Sequence, residues 1–131
     1  MKPWFLLATA LAAAPAAVHA ESAMKGVGGQ PCSRFNADHA ANAAVNDAAY
    51  WTWAQGFLGG LNAVAVQHAQ PIADLDGMSD DAQQKAVGSF CQDHPDSAYF
   101  MGVFTLYQSL PTAASPNAPV PARPPVRRRR K

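Results

Sequence analysis

Two cysteines are all that this 131-residue chain holds, and its histidines beyond residue 20, His39, His68 and His94, fall on three separate segments. None has a second His or Cys at metal-ligand spacing, so a metal centre is not expected. Asp74-Leu75-Asp76-Gly77 has the start of a calcium loop but lacks its further acids, its glycine offset and its terminal Glu. No G-x-S-x-G element occurs, and cysteines expected to be oxidised leave no activated nucleophile for a triad. The acidic pairs Asp80/Asp81 and Asp93/Asp96 stand at expected helix starts, where the helix dipole explains them. The reading is therefore non-enzymatic, with no catalytic residue and no cofactor. The length excludes a complete dinucleotide domain joined to a substrate domain.

Charge is scarce and unevenly spread. Residues 21–112 hold three basic groups (Lys25, Arg34, Lys85) and all nine acids, a formal balance of −6. Residues 113–131 hold no acid and six basic groups, a balance of +6. The formal total of +1 thus hides two segments of opposite sign, with Lys2 making up the remainder.

Residues 1–20 have the pattern of a secretory signal peptide. Lys2 supplies the basic start, Trp4 to Leu11 begin the apolar run, and Val18-His19-Ala20 fits a cleavage site. A retained anchor is the alternative; after leader removal no transmembrane segment is expected. Export implies a periplasmic or secreted, oxidising location, where one Cys32–Cys91 disulfide is the default. An intermolecular bond or two free thiols are the alternatives.

What is present reads as an all-α body, a small bundle of about four helices. Residues 21–31 are Gly-rich and read as a flexible lead-in, and residues 32–111 as the helical domain. A first helix is expected over about Ser33–Ala44. A second, capped by Asn46 or Asp47, carries Tyr50, Trp53, Ala54, Phe57, Leu61, Val64 and Ala65 at steps of three and four. Its length and composition also raise a membrane span, which Gln55 and Asn62 argue against. Residues 70–78 read as a loop with a turn at Asp76-Gly77. Ser79 caps a third helix that buries Ala82, Ala86, Val87, Phe90 and Cys91 and turns Gln83, Gln84 and Lys85 to water. A fourth starts near Pro95, carries Tyr99, Val103, Leu106, Tyr107 and Leu110, and ends at Pro111. Residues 112–131, rich in proline and arginine, read as a disordered basic tail.

Candidate functional residues follow. Trp53, Gly56, Phe57, Gly60 and Asn62 form a helix-packing motif, in which Gly56 and Gly60 share a face and would admit a close neighbouring helix. Asn62 needs hydrogen-bond partners if buried. Trp51 falls off the main stripe and is the aromatic expected to be exposed. With Phe100 and Phe104, which widen the apolar arc of the last helix, it is a candidate for binding a protein partner. The tail residues Arg127, Arg128, Arg129, Arg130 and Lys131 read first as a solvated tail that loosely returns to the acidic body, with binding to an anionic envelope surface as the functional alternative; a specific nucleic-acid site is not expected.

The order Trp53-Ala54-Gln55-Gly56-Phe57-Leu58-Gly59-Gly60-Leu61-Asn62, then Gly77-Met78-Ser79, Phe90-Cys91, His94-Pro95 and Leu110-Pro111, resembles the Rap/Tai family of type VI secretion immunity proteins. The resemblance covers about residues 32–111. It implies a small, periplasmic, helical, disulfide-bonded protein that binds and blocks a cell-wall amidase effector. A weaker similarity, through Cys32-Ser33-Arg34-Phe35, Gly56-Phe57 and Cys91, is to the HdeA/HdeB acid-stress chaperones, whose partners are unfolded clients. Protonating nine acids would carry the body from −6 to about +3 at ordinary carboxyl pKa values.

Overall fold

Pro31 has extended backbone and cannot donate, so α1 (Cys32–Gln67) begins directly after it without a side-chain cap. Its first free N–H groups are served from the far end of the sequence. Cys32 N donates to Ser97 O at 2.7 Å and Ser33 N to Pro95 O at 2.7 Å. Tyr99 N returns a bond to Gln30 O at 2.8 Å, and Pro31 bridges Ala98. The Cys32–Cys91 disulfide closes this clasp across a sequence separation of 59. The computed structural model describes residues 24–119. Residues 1–20, read from sequence as a leader, and the arginine cluster both lie outside them.

Three helices are described rather than four: α1, α2 (Asp80–Asp93) and α3 (Tyr99–Ser109), with two short strands, β1 (Ile72–Ala73) and β2 (Thr112–Ala113). The expected break between the first two helices is a kink inside α1, at Asn42, whose φ of −164° and ψ of 84° are non-helical. Residues eight apart on a straight helix lie about 12 Å apart along the axis. Here Asn46 Nδ2 donates to Asp38 O, and His39 Nδ1 lies 2.9 Å from the Asp47 carboxylate. Tyr50 Oη donates to Asp38 Oδ2 at 3.0 Å across twelve positions. The two arms of α1 therefore fold back at an elbow. Asn46 and Asp47 hold this elbow instead of capping a new helix.

The Gly-rich lead-in, expected to be structureless, forms a 3-10 turn over Gly26–Gly29 from which Gly28 and Gly29 are buried. It packs beneath Trp53, whose indole Nε1 donates to Lys25 O at 3.0 Å. The last helix begins at Tyr99 and not near Pro95, because the carbonyls of Pro95 and Ser97 are engaged by the start of α1. α1 ends with Ala69 at φ 52°, Gln70 N bonding back to Ala65 O and Ala69 N to Val66 O. These bonds satisfy carbonyls that a helix end leaves free.

Strand β1 lies within the segment expected to be a plain loop. It pairs antiparallel with β2 in the register Ile72↔Ala113 and Ala73↔Thr112. The expected tail thus starts as structure. Ser115 is buried, and Asn117 Nδ2 donates to Val66 O at 3.3 Å. Asn62 holds the strand pair against α1: its Nδ2 donates to Ala73 O at 2.8 Å, and its Oδ1 accepts from Ala73 N at 2.9 Å and Tyr107 Oη at 3.0 Å. Asn62→Leu would leave the polar backbone of buried Ala73 without these partners, at a cost of about 1–3 kcal/mol. Equilibrium urea unfolding checks this, and a loss under a few tenths of a kcal/mol would show that the clamp is dispensable.

The core joins Tyr50, Ala54 and Leu58 of α1 to Val87 and Cys91 of α2 and to Tyr99, Val103, Leu106 and Leu110 around α3. Phe35, Tyr50 and Tyr99 form an aromatic triangle with centroids 4.9–5.2 Å apart. Val64, placed on the buried stripe by periodicity, is exposed, and Leu58 takes its place in the core. α1 is gripped by α2 on the Trp51 side and by the 3-10 turn on the Trp53 side, which rotates the stripe. Gln83, expected to face water, is buried and donates to Leu75 O and Met78 O at 2.8 and 2.7 Å. Ser79 caps α2 as expected, its Oγ accepting from Ala82 N at 3.4 Å. No described helix is long and apolar enough to cross a membrane.

Candidate functional site

The elbow of α1 and the outer face of α2 enclose a groove of about 790 Å³. Phe35 and Tyr50 meet edge to face at its base, and Trp51 contributes a wall. Asn36, Gln84, Ser89 and Gln92 add uncharged polar groups. His39 and Asp47 stand on one side, and Asp81 with Lys85 on the other. The Asp81–Lys85 pair is 2.7 Å long and exposed, one turn apart on α2. Asn36 Nδ2 donates to Cys91 O at 2.9 Å, which ties the first arm of α1 to the end of α2 beside the disulfide.

At the base of the groove, Tyr50 and its neighbour Asp38 have displaced proton affinities. The hydrogen bond from the Arg34 guanidinium holds the Asp38 carboxyl below its usual range, with Tyr50 assisting and desolvation opposing. Burial pushes the Tyr50 hydroxyl up to about 12, and the adjacent Asp38 carboxylate adds to the effect. Tyr50 is thus a neutral donor at any physiological pH. The arrangement offers hydrogen-bond donors and acceptors, two carboxylates and aromatic edges. Those features suit recognition of an extended polar chain. Among the described residues no cluster of three His, Cys, Asp or Glu side chains is placed to hold a metal.

The sequence-based candidates divide. Trp51 is buried, contrary to expectation, with its Nε1 3.5 Å from Asp80 Oδ2. Gln55 Nε2 reaches the same oxygen at 3.4 Å, so Asp80 holds α1 to α2 in addition to starting a helix. Trp53 and Phe57 stack at 5.2 Å and are half-buried. Phe100 and Phe104 are half-buried too, Phe100 meeting Phe57 edge-on at 6.4 Å, and Met101 beside them is exposed. These apolar residues lie on a different part of the surface from the groove lining. Arg127 to Lys131 fall outside the described residues.

Gly56 and Gly60 do not admit a neighbouring helix. Both are exposed, and a Cβ on either would meet nothing within 4 Å; the same holds for Gly59. The glycine that permits close helix contact is Gly102 of α3, where a Cβ would lie 2.9 Å from Phe90 Cδ1 and 3.3 Å from Val87 Cγ1. Gly59→Ala is accordingly expected to stabilise the chain by about 0.5–1 kcal/mol through helix propensity alone. A thermal-melt series over Gly56→Ala, Gly59→Ala and Gly60→Ala measures this, and destabilisation by any of the three would contradict an open face.

His39, Asp47, Asn36 and Gln92 were not readable as site residues. Their meeting depends on the fold-back at Asn42, and the only trace in the sequence is the Asn- and Ala-rich stretch from Asn36 to Asn46. No family model, curated protein or solved structure matches the chain.

Proposed function

We propose that the chain is a non-enzymatic, exported protein-binding protein that seats a segment of its partner in the groove between the α1 elbow and α2. The groove carries this reading, because amide, carboxylate and hydroxyl groups line it over an aromatic base. Such a surface matches the alternating backbone and side-chain polarity of an extended polypeptide. In line with the resemblance to Rap/Tai proteins, the partner is a cell-wall-targeting effector, and binding blocks it. The envelope location rests on the leader and the disulfide.

Gly88 supplies a clean test. It lines the groove, and a Cβ there would meet nothing within 4 Å, so Gly88→Trp is expected to project into the groove, with an unchanged circular dichroism spectrum and melting temperature as the check that the fold is kept. An exported cell-wall hydrolase encoded beside this chain should be neutralised by the native protein and not by Gly88→Trp. Neutralisation by both, or the lack of any such neighbour together with groove-independent capture of envelope proteins, refutes the reading.

A second reading, acid-triggered client binding, draws on one observation. Asp38 fastens the elbow by accepting from Arg34 and Tyr50, with the His39–Asp47 contact next to it and Tyr99 of α3 packed behind Tyr50. The folded-state pKa of Asp38 is lowered, so its contribution is complete above the unfolded carboxyl value of about 3.9 and is lost as pH falls through the folded value. The stability of Asp38→Asn should therefore vary less between about pH 4 and pH 2 than that of the native chain. Parallel acid limbs in urea titrations would remove Asp38 as the trigger. Unchanged dye binding and dispersity of the native protein between neutral pH and about pH 2 would remove the chaperone reading itself.

A further inference from the structure

We infer that residues 24–41 are an exchangeable arm, and that two copies of this chain trade it to form a dimer in which Cys32 of each copy bonds Cys91 of the other. The inference is independent of what the groove binds. Asn42 is the one residue of α1 outside helical geometry, so the reversal of the chain turns on its backbone alone. On either side of it stand Ala40, Ala41, Ala43 and Ala44, the residue type with the highest helix propensity. Local sequence therefore favours one continuous helix, and the elbow is kept by contacts between the two arms. Asn42 is exposed, so it can turn helical without displacing packed neighbours.

Straightening separates the arm from its own body. The Phe35 and Tyr50 rings, with centroids 5.0 Å apart, belong to residues that a straight helix would set about 22 Å apart along its axis. A second copy offers the arm an identical seat. The N–H groups of Cys32 and Ser33 find Ser97 O and Pro95 O there, and Asp38 again accepts from a Tyr50 hydroxyl. The lead-in travels with the arm, which returns Lys25 O and Gly28 to a Trp53 indole. Exchange thus costs association entropy and one changed residue per chain, and it gains the helical conformation that the alanines favour. The two straightened helices cross at the elbow tip. Ala41 and Ala44 are exposed there and small enough for close approach, and Val45, 64% exposed, gains a neighbour. Each dimer holds two complete grooves, with Phe35, Asn36 and His39 from one copy set against Tyr50, Gln84 and Ser89 from the other.

The experiment uses the full chain, half of it labelled with nitrogen-15. The two halves are unfolded, reduced, mixed and refolded at high concentration in a glutathione redox buffer. Non-reducing electrophoresis should show a covalent dimer beside the monomer. In that dimer about half of the Cys32–Cys91 peptide pairs should join a labelled to an unlabelled chain, as random reciprocal exchange requires. Asn42→Ala should raise the dimerisation constant about tenfold, from about threefold at each of two hinges, and Asn42→Gly should lower it. Monomer alone at every concentration, a dimer bonded Cys32 to Cys32 or Cys91 to Cys91, or a dimer without mixed-label pairs would each overturn the inference. So would a folded Asn42→Ala chain that dimerises no more than the native one. Should Asn42→Ala fail to fold, the labelled native chain decides the point by itself.

Discussion

Replacing Cys32 and Cys91 together by Ala is expected to lower the unfolding free energy by about 4 kcal/mol. The bond joins positions 59 apart, and the chain-entropy model assigns most of that loss to a less constrained unfolded state. For a body of this size the figure is a large fraction of total stability. Both residues are fully buried and sit at the clasp where Cys32 N and Ser33 N take carbonyls from the loop before α3. Without the bond, the start of α1 relies on those hydrogen bonds and on Asn36. Denaturant titration of the native and double-alanine chains decides the point, with reductant added to the native chain as a second arm. Equal midpoints in all three samples would mean that the clasp holds unaided.

Gly28→Ala is the second substitution with a large expected effect, about 1–3 kcal/mol of destabilisation from overpacking. A Cβ at Gly28 would stand 1.9 Å from Trp53 Cζ2 and 2.2 Å from Cη2. The ring has little freedom to yield, since its Nε1 is bonded to Lys25 O and its face is stacked on Phe57. The 3-10 turn must therefore lift away. Trp53→Leu made in the same chain removes the obstructing ring, so the double variant should lose clearly less than the two single losses added together. Chemical unfolding of the four chains measures the coupling. Additive losses would show that Gly28 acts through something other than the indole.

Helix content was legible because it depends on local pattern, and the disulfide because two cysteines allow only one pairing within the chain. Pro31, Ser79 and Pro111 bound helical segments much as punctuation rules predict. Trp51, Gln83 and Val64 were misplaced, because one hydrophobic stripe per helix is a poor description of an element gripped from two sides. Residues 24–31 and 112–119 were read as unstructured from composition. The first earns its place through glycines small enough to lie under Trp53, the second through two backbone pairs to β1. Composition registers neither effect. The groove was hidden for a related reason. Its walls meet only after Asn42 leaves helical geometry, and a single Asn in an Ala-rich stretch does not announce a reversal.

The elbow also bears on the order in which the chain folds. Its contacts join residues eight to fifteen positions apart, Asp38 with Asn46 and Tyr50, and Phe35 with Tyr50. The clasp joins residues more than sixty apart, as Cys32 to Ser97 and Ser33 to Pro95. Closing short loops costs less entropy, so the elbow is placed to nucleate, whereas the clasp must wait for α2 to be laid down. A chain emerging N-terminus first can thus shape one wall of its groove while its second cysteine is still to come.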